Sequence, residues 1–320
     1  MDSSSKKIVI TDHGFSNINP ERAVLEQSGY ELIDAQCKNE ADLLAATKDA
    51  FALIVQWAPI TETIIRNLDQ CRLIVRYGIG VDNLDLNAAR ERQIPVCNVP
   101  DYCIDEVSDH AMALAMALHR QLLSTDKRVR EGVWKIIPPG TVPACKDALF
   151  TTLGFGRIAR VVLKKAAAFT FKLAAFDPFV SEEDMQALGV QKITFEEALA
   201  NSDILSLHLP LNDKTYHLIN RESLLNMKSN AVLINTSRGG LINTIDLAQA
   251  LTENKIGGAG IDVFEQEPLP DEHPIRQAPN TIITSHTAWY SQRSIPILQQ
   301  FAAEEVLRLI NGEPLKNQVA

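Results

Sequence analysis

The chain has 320 residues, of which 46% are hydrophobic and 22% charged, and its formal net charge is −9. This composition is close to that of average globular proteins and excludes a disordered or fibrous chain. The negative charge and a pI near 5.3 also argue against nucleic-acid binding, which depends on Lys and Arg side chains that neutralise phosphates. Because one domain usually has roughly 100 to 150 residues, we expect two domains.

Short aliphatic and β-branched runs alternate with helical patterns along the whole chain. The predicted strands are residues 8–10, 52–55, 73–75, 96–99, 149–153, 172–176, 204–207, 232–234 and 282–283. The predicted helices are residues 21–28, 84–92, 106–123, 195–200, 245–253 and 298–309. This alternation predicts an α/β fold in which helices connect parallel strands.

Two segments in the middle of the chain have unusual patterns. Residues 106–123 are apolar nearly all round, so we expect a helix buried on several sides, within one domain or at an interdomain or subunit contact. Residues 134–143 contain three prolines and a glycine, which predicts a loop or arm instead of regular structure.

The cysteines and the N-terminal residues bear on location and metal binding. The five cysteines are Cys37, Cys71, Cys97, Cys103 and Cys145. They are odd in number and scattered, without metal-ligand spacing, so we expect reduced thiols in the cytoplasm and no metal site. The polar start MDSSSK does not resemble a signal peptide, and the longest apolar run, Ala111 to Leu118, is shorter than the ~20 residues of a membrane span. We therefore expect no membrane partner.

A glycine loop follows the predicted strand 149–153. Its sequence, Gly154-Phe155-Gly156-Arg157-Ile158-Ala159, leads directly into a helical pattern. Glycines allow a sharp turn and a close approach of backbone to a pyrophosphate, which then meets free N–H groups at the helix start. The motif alone also fits an ordinary strand-to-helix turn. Arg157 fits either a phosphate or diol contact or a solvated helix position.

An acidic residue at the end of the next strand favours the nucleotide interpretation. Asp177 ends the predicted strand 172–176 and lies 177 − 156 = 21 residues after Gly156. A carboxylate about 20 residues after such a loop binds the ribose hydroxyls of NAD and would repel the 2′-phosphate of NADP. The sequence therefore predicts NAD as the cofactor.

Three further motifs carry residues suited to reducing a 2-oxo acid. They are residues 234–240 (INTSRGG), 260–268 (GIDVFEQEP) and 284–290 (TSHTAWY). The reaction needs an anchor for the substrate carboxylate, an acid that protonates the new alkoxide, and a partner that keeps this acid charged. Arg238, His286 and Glu267 are of the required types. Taken singly, they also fit a surface cation, a satisfied loop histidine and a solvated acid.

From about Lys7 to Val319 the chain resembles the D-2-hydroxyacid dehydrogenases, most closely the branch with C-terminal-binding proteins and phosphoglycerate-dehydrogenase-like enzymes. Besides the glycine loop, Asp177 and the three motifs above, the resemblance includes residues 75–83 (VRYGIGVDN), 95–101 (PVCNVPD) and 106–110 (EVSDH). The sequence departs from the family pattern where Ala159 replaces the third glycine of the loop, and where Thr151 and Thr170 replace usual glycines.

The resemblance implies a role for each candidate residue. Arg238 would bind the substrate carboxylate, His286 would be the general acid and base, and Glu267 would orient and charge it. The implied NAD contacts are Val107, Gly154, Gly156, Arg157, Ile158, Asp177, His208, Leu209, Pro210, Thr236, Ser237, Asp262, His286 and Ala288. The implied substrate contacts are Arg76, Gly78, Ile79, Gly80, Arg238, His286 and Trp289. A core aromatic is the alternative role for Trp289.

The resemblance also implies a domain map. Two Rossmann-like doubly wound domains are expected: an NAD domain of residues 100–287, inserted into a discontinuous flavodoxin-like substrate domain of residues 1–99 and 288–320. A homodimer would form through the NAD domain. The end of the sequence soon after its last helix leads us to expect no regulatory domain and no feedback control by an amino acid.

Two other functions compete with the dehydrogenase. One is an NAD(H)-sensing scaffold or corepressor-like binding protein, and the presence of Arg238, Glu267 and His286 argues against it. The other is a formate dehydrogenase of the same superfold, in which glutamine commonly replaces the glutamate. Glu267 argues against that alternative.

Overall fold

The computed structural model describes residues 6–137 and 142–320, so residues 138–141 of the predicted arm lie outside the described residues. The chain divides into two compact units. The first unit comprises Met1–Cys103 and Ser291–Ala320, and the second comprises Ile104–Tyr290. One unit is thus built from two separate segments, and the other from the segment between them.

The first unit contains a five-stranded parallel sheet. Its strands are β1 (Lys7–Ile10), β2 (Glu31–Asp34), β3 (Ala52–Val55), β4 (Leu73–Arg76) and β5 (Val96–Cys97). Its helices are α1 (Asn19–Leu25), α2 (Glu40–Thr47), α3 (Glu62–Arg66), α4 (Leu86–Glu91) and the C-terminal α12 (Ser294–Asn311). The strand order is β2-β1-β3-β4-β5, which is the flavodoxin-like doubly wound order.

The second unit contains a seven-stranded parallel sheet. Its strands are β6 (Leu149–Leu153), β7 (Lys172–Phe176), β8 (Gln191–Lys192), β9 (Ile204–Leu207), β10 (Val232–Asn235), β11 (Gly258–Ile261) and β12 (Thr281–Ile283). Its helices are α5 (Ile104–His119), α6 (Leu122–Arg130), α7 (Arg157–Ala168), α8 (Glu182–Gln186), α9 (Phe195–Asn201), α10 (Arg221–Leu225) and α11 (Thr244–Thr252). Turns of 3₁₀ helix occur at Cys145–Asp147, Gly239–Leu241 and Pro274–Gln277.

The strand order of the second unit, β12-β11-β10-β9-β6-β7-β8, contains the order of a dinucleotide-binding Rossmann sheet. The direction of winding reverses between β6 and β9, and ligands of such sheets bind at this switch point, outside the carboxyl ends of the strands. The central strands β9, β10 and β11 are buried at every position. Their largely apolar sequences reflect this burial on both faces, and the predicted α/β class is confirmed.

The long apolar helix differs from its prediction. A single helix over residues 106–123 is wrong, because α5 ends at His119 and α6 begins at Leu122, with Gln121 between them at φ 52°. Leu122 and Leu123 are 56% and 49% exposed, so the apolar pattern continues past the point where burial ends. No helix among the described residues is long and apolar enough to span a bilayer.

Candidate active site

The glycine loop joins β6 to α7 at the switch point of the second sheet. Gly154 has φ 97°, and a Cβ atom there would lie 2.5 Å from the carbonyl oxygen of His208, so only glycine fits. Gly156 has no such constraint, because a Cβ atom there would enter open space beside the first turn of α7. Open space next to the N–H groups of a helix start fits a bound phosphate. Arg157 is exposed at the first position of this helix, and Ile158 packs on the core beneath it.

Asp177 lies beside this loop, at the end of β7. One carboxylate oxygen accepts a hydrogen bond from the Phe155 N–H at 2.9 Å, and the other accepts from the Phe179 N–H at 2.9 Å. These two bonds fix the carboxylate against the glycine loop. An ionised carboxylate has about four acceptor positions, so one that accepts two backbone bonds has the capacity to bind ribose hydroxyls as well.

The segments after β9 and β10 carry the other predicted nucleotide contacts. His208 and Leu209 lie across from Gly154, with the Leu209 methyl group 3.3 Å from the position of a Cβ there. His208 is partly exposed as a whole, yet burial of its imidazole lowers its pKa to about 4, so the ring is neutral at pH 7. Pro210 follows at an exposed position.

Thr236 has a buried hydroxyl that a ligand at this edge of the sheet can satisfy. Its Oγ1 atom is buried and makes no hydrogen bond within the described part of the chain. Leaving a buried hydroxyl without a partner costs about 1–3 kcal/mol, and a bound ligand that bonds to it removes this cost. The neighbouring Ser237 is satisfied, since its hydroxyl donates to the Leu207 carbonyl at 2.8 Å. The residues present therefore fit a dinucleotide.

His286 and Glu267 form the central pair of the candidate reacting centre. The His286 Nδ1 atom lies 2.7 Å from Glu267 Oε2, and Glu267 Oε1 accepts from the Phe264 N–H at 2.8 Å. Burial alone would raise the pKa of Glu267, but the bond with His286, the Phe264 N–H and the nearby Arg238 guanidinium lower it on balance. The carboxylate is thus ionised at neutral pH. The carboxylate contacts the ring at Nδ1, and Nε2 is the other ring atom that can carry a proton.

The loop that carries His286 is fastened by Asp262, the residue after β11. Asp262 is completely buried. Its carboxylate accepts from the N–H groups of Thr287 and Ala288, each at 2.9 Å, and from the Thr284 hydroxyl. The Asp262 carbonyl accepts from the His286 N–H at 2.7 Å. This side chain, predicted as a nucleotide contact, orients the histidine loop; its contact with the cofactor stays a prediction.

Arg238 is held by the turn that follows β10. The Asn235 amide bridges this turn, since it donates to the Arg238 carbonyl at 2.8 Å and accepts from the Ser237 N–H at 3.0 Å. The guanidinium donates to the Ser237 carbonyl at 2.6 Å. The guanidinium is also one of the groups that lower the pKa of Glu267. Sequence reasoning had assigned no role to Asn235, although an amide just before a sharp turn is a recognisable turn signal.

Two predicted contacts lie elsewhere in the second unit. Val107 is buried in the first turns of α5. Trp289, beside the histidine loop, is partly buried, and its ring contacts the edge of the Tyr290 ring at a centroid distance of 6.1 Å. This environment fits either a pocket wall or a packing role.

The predicted substrate contacts of the first unit form a group of their own. Gly78 has φ 137°, and a Cβ atom there would collide with the Arg76 guanidinium, whose Nη1 atom would lie 1.6 Å away. Arg76 thus lies over Gly78, and its guanidinium carbon is 5.5 Å from the centre of the Trp57 ring. The Ile79 carbonyl accepts from the Asn98 amide at 2.6 Å, and Gly80 is the next residue. Trp57 was missed in the sequence because nothing in its pattern links it to Arg76.

A dinucleotide cradle, a histidine–carboxylate pair and an arginine at the carboxyl edge of one sheet define a nicotinamide-dependent dehydrogenase. The family model for the NAD-binding domain of the D-isomer specific 2-hydroxyacid dehydrogenases matches residues 112–288. The chain belongs to this family. It is an NAD-dependent enzyme that acts on 2-hydroxy acids, and the predictions of family, fold and cofactor are confirmed.

Individual relatives and structures agree with this assignment. The chain is 35% identical to a glyoxylate reductase of Korarchaeum cryptofilum over 281 residues, which cover 87% of this chain and 85% of the relative. It is 33% identical to a D-3-phosphoglycerate dehydrogenase of Methanocaldococcus jannaschii over 298 residues, 92% of this chain but only 56% of that protein. The crystal structure of a D-lactate dehydrogenase from Aquifex aeolicus with NAD and lactic acid superposes with a TM-score of 0.87 at 26% identity, covering 98% of both chains.

Proposed function

We propose that this enzyme reduces the C2 carbonyl of a small 2-oxo acid to the D-2-hydroxy acid, with His286 as general acid, Glu267 as its partner and Arg238 as the carboxylate anchor. The observation that carries the proposal is the 2.7 Å contact between His286 Nδ1 and the ionised Glu267. An ionised partner stabilises the imidazolium form, which is the form that can protonate an alkoxide.

Each residue has a separate task in the proposed reaction. Arg238 binds the substrate carboxylate through two parallel N–H donors, which fixes the carbonyl carbon in one orientation. Bound NADH supplies the hydride. His286 donates the proton on Nε2 to the oxygen atom that becomes the hydroxyl group, and Glu267 stabilises the charged ring before that transfer. In the oxidation direction, His286 accepts the hydroxyl proton at the same atom.

The assay follows NADH absorbance in the presence of a panel of 2-oxo acids. The names of the relatives suggest glyoxylate, pyruvate and 3-phosphohydroxypyruvate as the first members. We expect His286→Ala to lower kcat by about 10²-fold or more. Arg238→Ala should lower kcat/KM for the acid through a lost charge-assisted contact. The exposed Arg221 provides a matched control, and Arg221→Ala should behave as the wild type.

The same assay separates catalysis from NAD(H) sensing. Tight NADH binding without turnover of any acid would favour a scaffold and contradict the proposal. Turnover that survives in both His286→Ala and Arg238→Ala would mean that other residues perform the chemistry. Thermal stabilisation by single acids in the presence of NADH narrows the choice of substrate, because a ligand that binds the folded state raises Tm.

We also propose that Asp177 makes the enzyme prefer NAD to NADP. The carboxylate is fixed by two backbone N–H groups beside the glycine loop, so it cannot easily turn away from a 2′-phosphate. Asp177→Ala should raise kcat/KM for NADPH relative to NADH. An unchanged ratio of the two efficiencies would contradict the ribose role.

For the assembly, we propose a cytoplasmic homodimer formed through the NAD domain, without nucleic-acid or membrane partners. The first residues of the arm favour a dimer. Their exposed fractions are 80% for Trp134, 92% for Ile136 and 82% for Ile137, and contiguous exposed apolar groups usually contact a partner. Light scattering should give twice the monomer mass, and Ile136→Glu together with Ile137→Glu should give monomers. A wild-type monomer would contradict the dimer.

A further inference from the structure

A second carboxylate, Glu265, lies two residues before Glu267 and binds a different set of partners. Its Oε2 atom accepts from the Thr244 N–H at 3.0 Å and from the Thr244 hydroxyl at 2.5 Å. Its Oε1 atom pairs with the His217 Nε2 atom. Both oxygens are thus occupied by groups of the chain, and the proposed reaction uses none of them.

The partners of Glu265 are attached to the turn that carries Arg238. Thr244 is the first residue of α11, which follows the Gly239–Leu241 turn after two residues. The His217 N–H donates to the Gly240 carbonyl of the same turn at 2.8 Å. A carboxylate at the start of α11 is also stabilised by the helix dipole. Glu265 therefore connects its own loop to the start of α11 and to His217, and both of these adjoin the Gly239–Leu241 turn that follows Arg238.

The backbones of the two turns are in direct contact as well. A Cβ atom on Gly239 would lie 1.9 Å from the Phe264 carbonyl carbon and 2.4 Å from the Glu265 nitrogen. The turn after Arg238 and the loop before Glu267 are thus packed without a side chain between them. A shift of either one changes the separation between the carboxylate anchor and the acid–base pair.

We propose that Glu265, held by Thr244 and His217, is a positioning residue that sets the Glu267–His286 pair relative to Arg238. The inference rests on the proposed roles of those three residues. Without this link, the loop that carries Glu267 keeps its backbone packing but loses its side-chain bonds to Thr244 and His217. The substrate carboxylate and the proton donor then meet in a less favourable geometry.

The charges around Glu265 agree with a tether that stays in place at neutral pH. Burial alone would raise its pKa, but the bonds from Thr244 and His217 lower it below the ordinary value. The neighbouring His273 contacts the Thr244 hydroxyl at 3.3 Å. Burial and Arg276 lower the pKa of His273, and Glu265 partly offsets this effect. Glu265 is therefore ionised and remains a strong acceptor.

The test compares Glu265→Gln with Glu272→Gln, an exposed acid on the same connection. We expect Glu265→Gln to lower kcat by about 10-fold, since small displacements of reacting groups cost one to two orders of magnitude. The KM for NADH should stay unchanged, because the glycine loop is not involved. The pH dependence of kcat should also change, because a displaced Glu267 pairs less closely with His286. Glu272→Gln should match the wild type in all three measurements.

Variants of His217 keep the test decisive if Glu265→Gln does not fold. His217→Gln retains an N–H donor and should keep most of the activity, whereas His217→Leu should lose about as much as Glu265→Gln. The double variant His217→Leu with Glu265→Gln should be no worse than either single variant, because both remove one interaction.

Two results would overturn the inference. One is a Glu265→Gln enzyme whose Tm is lower but whose kcat, counted per NADH-binding site, equals that of the wild type at every pH. The other is a His217→Leu enzyme with full activity. Either result, combined with an inactive His286→Ala variant, refutes the positioning role alone. Full activity of His286→Ala would instead refute the proposed function on which it rests.

Discussion

Replacing Asp262 by alanine should destabilise the second unit and disorganise the histidine loop. The substitution removes the acceptor of two amide N–H groups, of Thr287 and Ala288, and of the Thr284 hydroxyl. Hydrogen bonds to charged groups contribute about 1.5–3 kcal/mol each. Two amide bonds thus give about 3–6 kcal/mol. Asp262→Ala also removes the desolvation cost of the buried carboxylate. The net loss of stability should therefore be about 3 kcal/mol.

The loss converts into a measurable change in melting temperature. For a unit of this size, 1 kcal/mol corresponds to about 2–4 °C, so Tm of the protein without cofactor should fall by about 6–12 °C. Asp262→Asn keeps the side-chain volume and one acceptor oxygen, so its Tm should lie between the Tm values of Asp262→Ala and the wild type. In addition, kcat should fall in Asp262→Ala, because the Thr287 and Ala288 amides, which directly follow His286, lose their acceptor.

The control is Asp271, whose side chain is 99% exposed and lies 3.6 Å from Arg276. An exposed ion pair of this kind contributes little, so Asp271→Ala should leave Tm and kcat unchanged. If Asp262→Ala lowers Tm no more than Asp271→Ala does, the buried carboxylate does not hold the loop, and the structural argument is refuted.

Three further predictions concern the backbone and the pH response of the second unit. Thr170 has φ 68°, which costs a β-branched residue about 1–2 kcal/mol, so Thr170→Gly should raise Tm by a few degrees; a lower Tm would contradict this. Gly154→Ala should lower Tm in calorimetry, because the new methyl group collides with the His208 carbonyl. Gly156→Ala should keep Tm but weaken NADH binding in a fluorescence titration. His208 has a folded pKa of about 4 against 6.5 unfolded. The unfolded state therefore binds more protons between these values, and stability should fall by roughly 3 kcal/mol as the pH drops through this window. Urea unfolding at several pH values should show a smaller loss of stability in His208→Gln than in the wild type. An equal loss would refute the lowered pKa of His208.

Most strands that are buried on both faces could be predicted from the sequence. The buried strand β11 was not among the predicted strands, because its two glycines and one alanine do not form a β-branched run. The runs 52–55 and 204–207 coincide with β3 and β9, because a parallel strand in the centre of a sheet needs mainly apolar side chains. The edge strands β2 and β8 lack this signal. Glu31–Asp34 and Gln191–Lys192 are partly exposed and contain charged residues, so no apolar run marks them. The break at Gln121 was missed because the sequence there contains neither glycine nor proline.

The candidate reacting residues could be chosen from the sequence, but their contacts could not. Arg238, Glu267 and His286 follow β-strand runs and have the required chemistry. The sequence contains two glutamates in Glu265-Gln266-Glu267, and both resemble solvated loop acids. Only the fold of the loop shows that one binds His286 and the other binds Thr244 and His217. Asp262 is similar, since no local pattern shows that this carboxylate is buried.

The arrangement of the site follows from three neighbouring strands. In the register of the sheet, Asn235 of β10 pairs with Ile261 of β11, which pairs with Ile283 of β12. Arg238, Glu267 and His286 each lie a few residues past this row. Adjacent strands are about 4.8 Å apart, so neighbouring turns can touch, as the contact of Gly239 with Phe264 shows. The strand spacing brings the three turns to contact distance. The side-chain bonds of Asp262 and Glu265 then hold the conformations of the loops that follow the strands. Variants of these two carboxylates should therefore alter catalysis without touching the substrate.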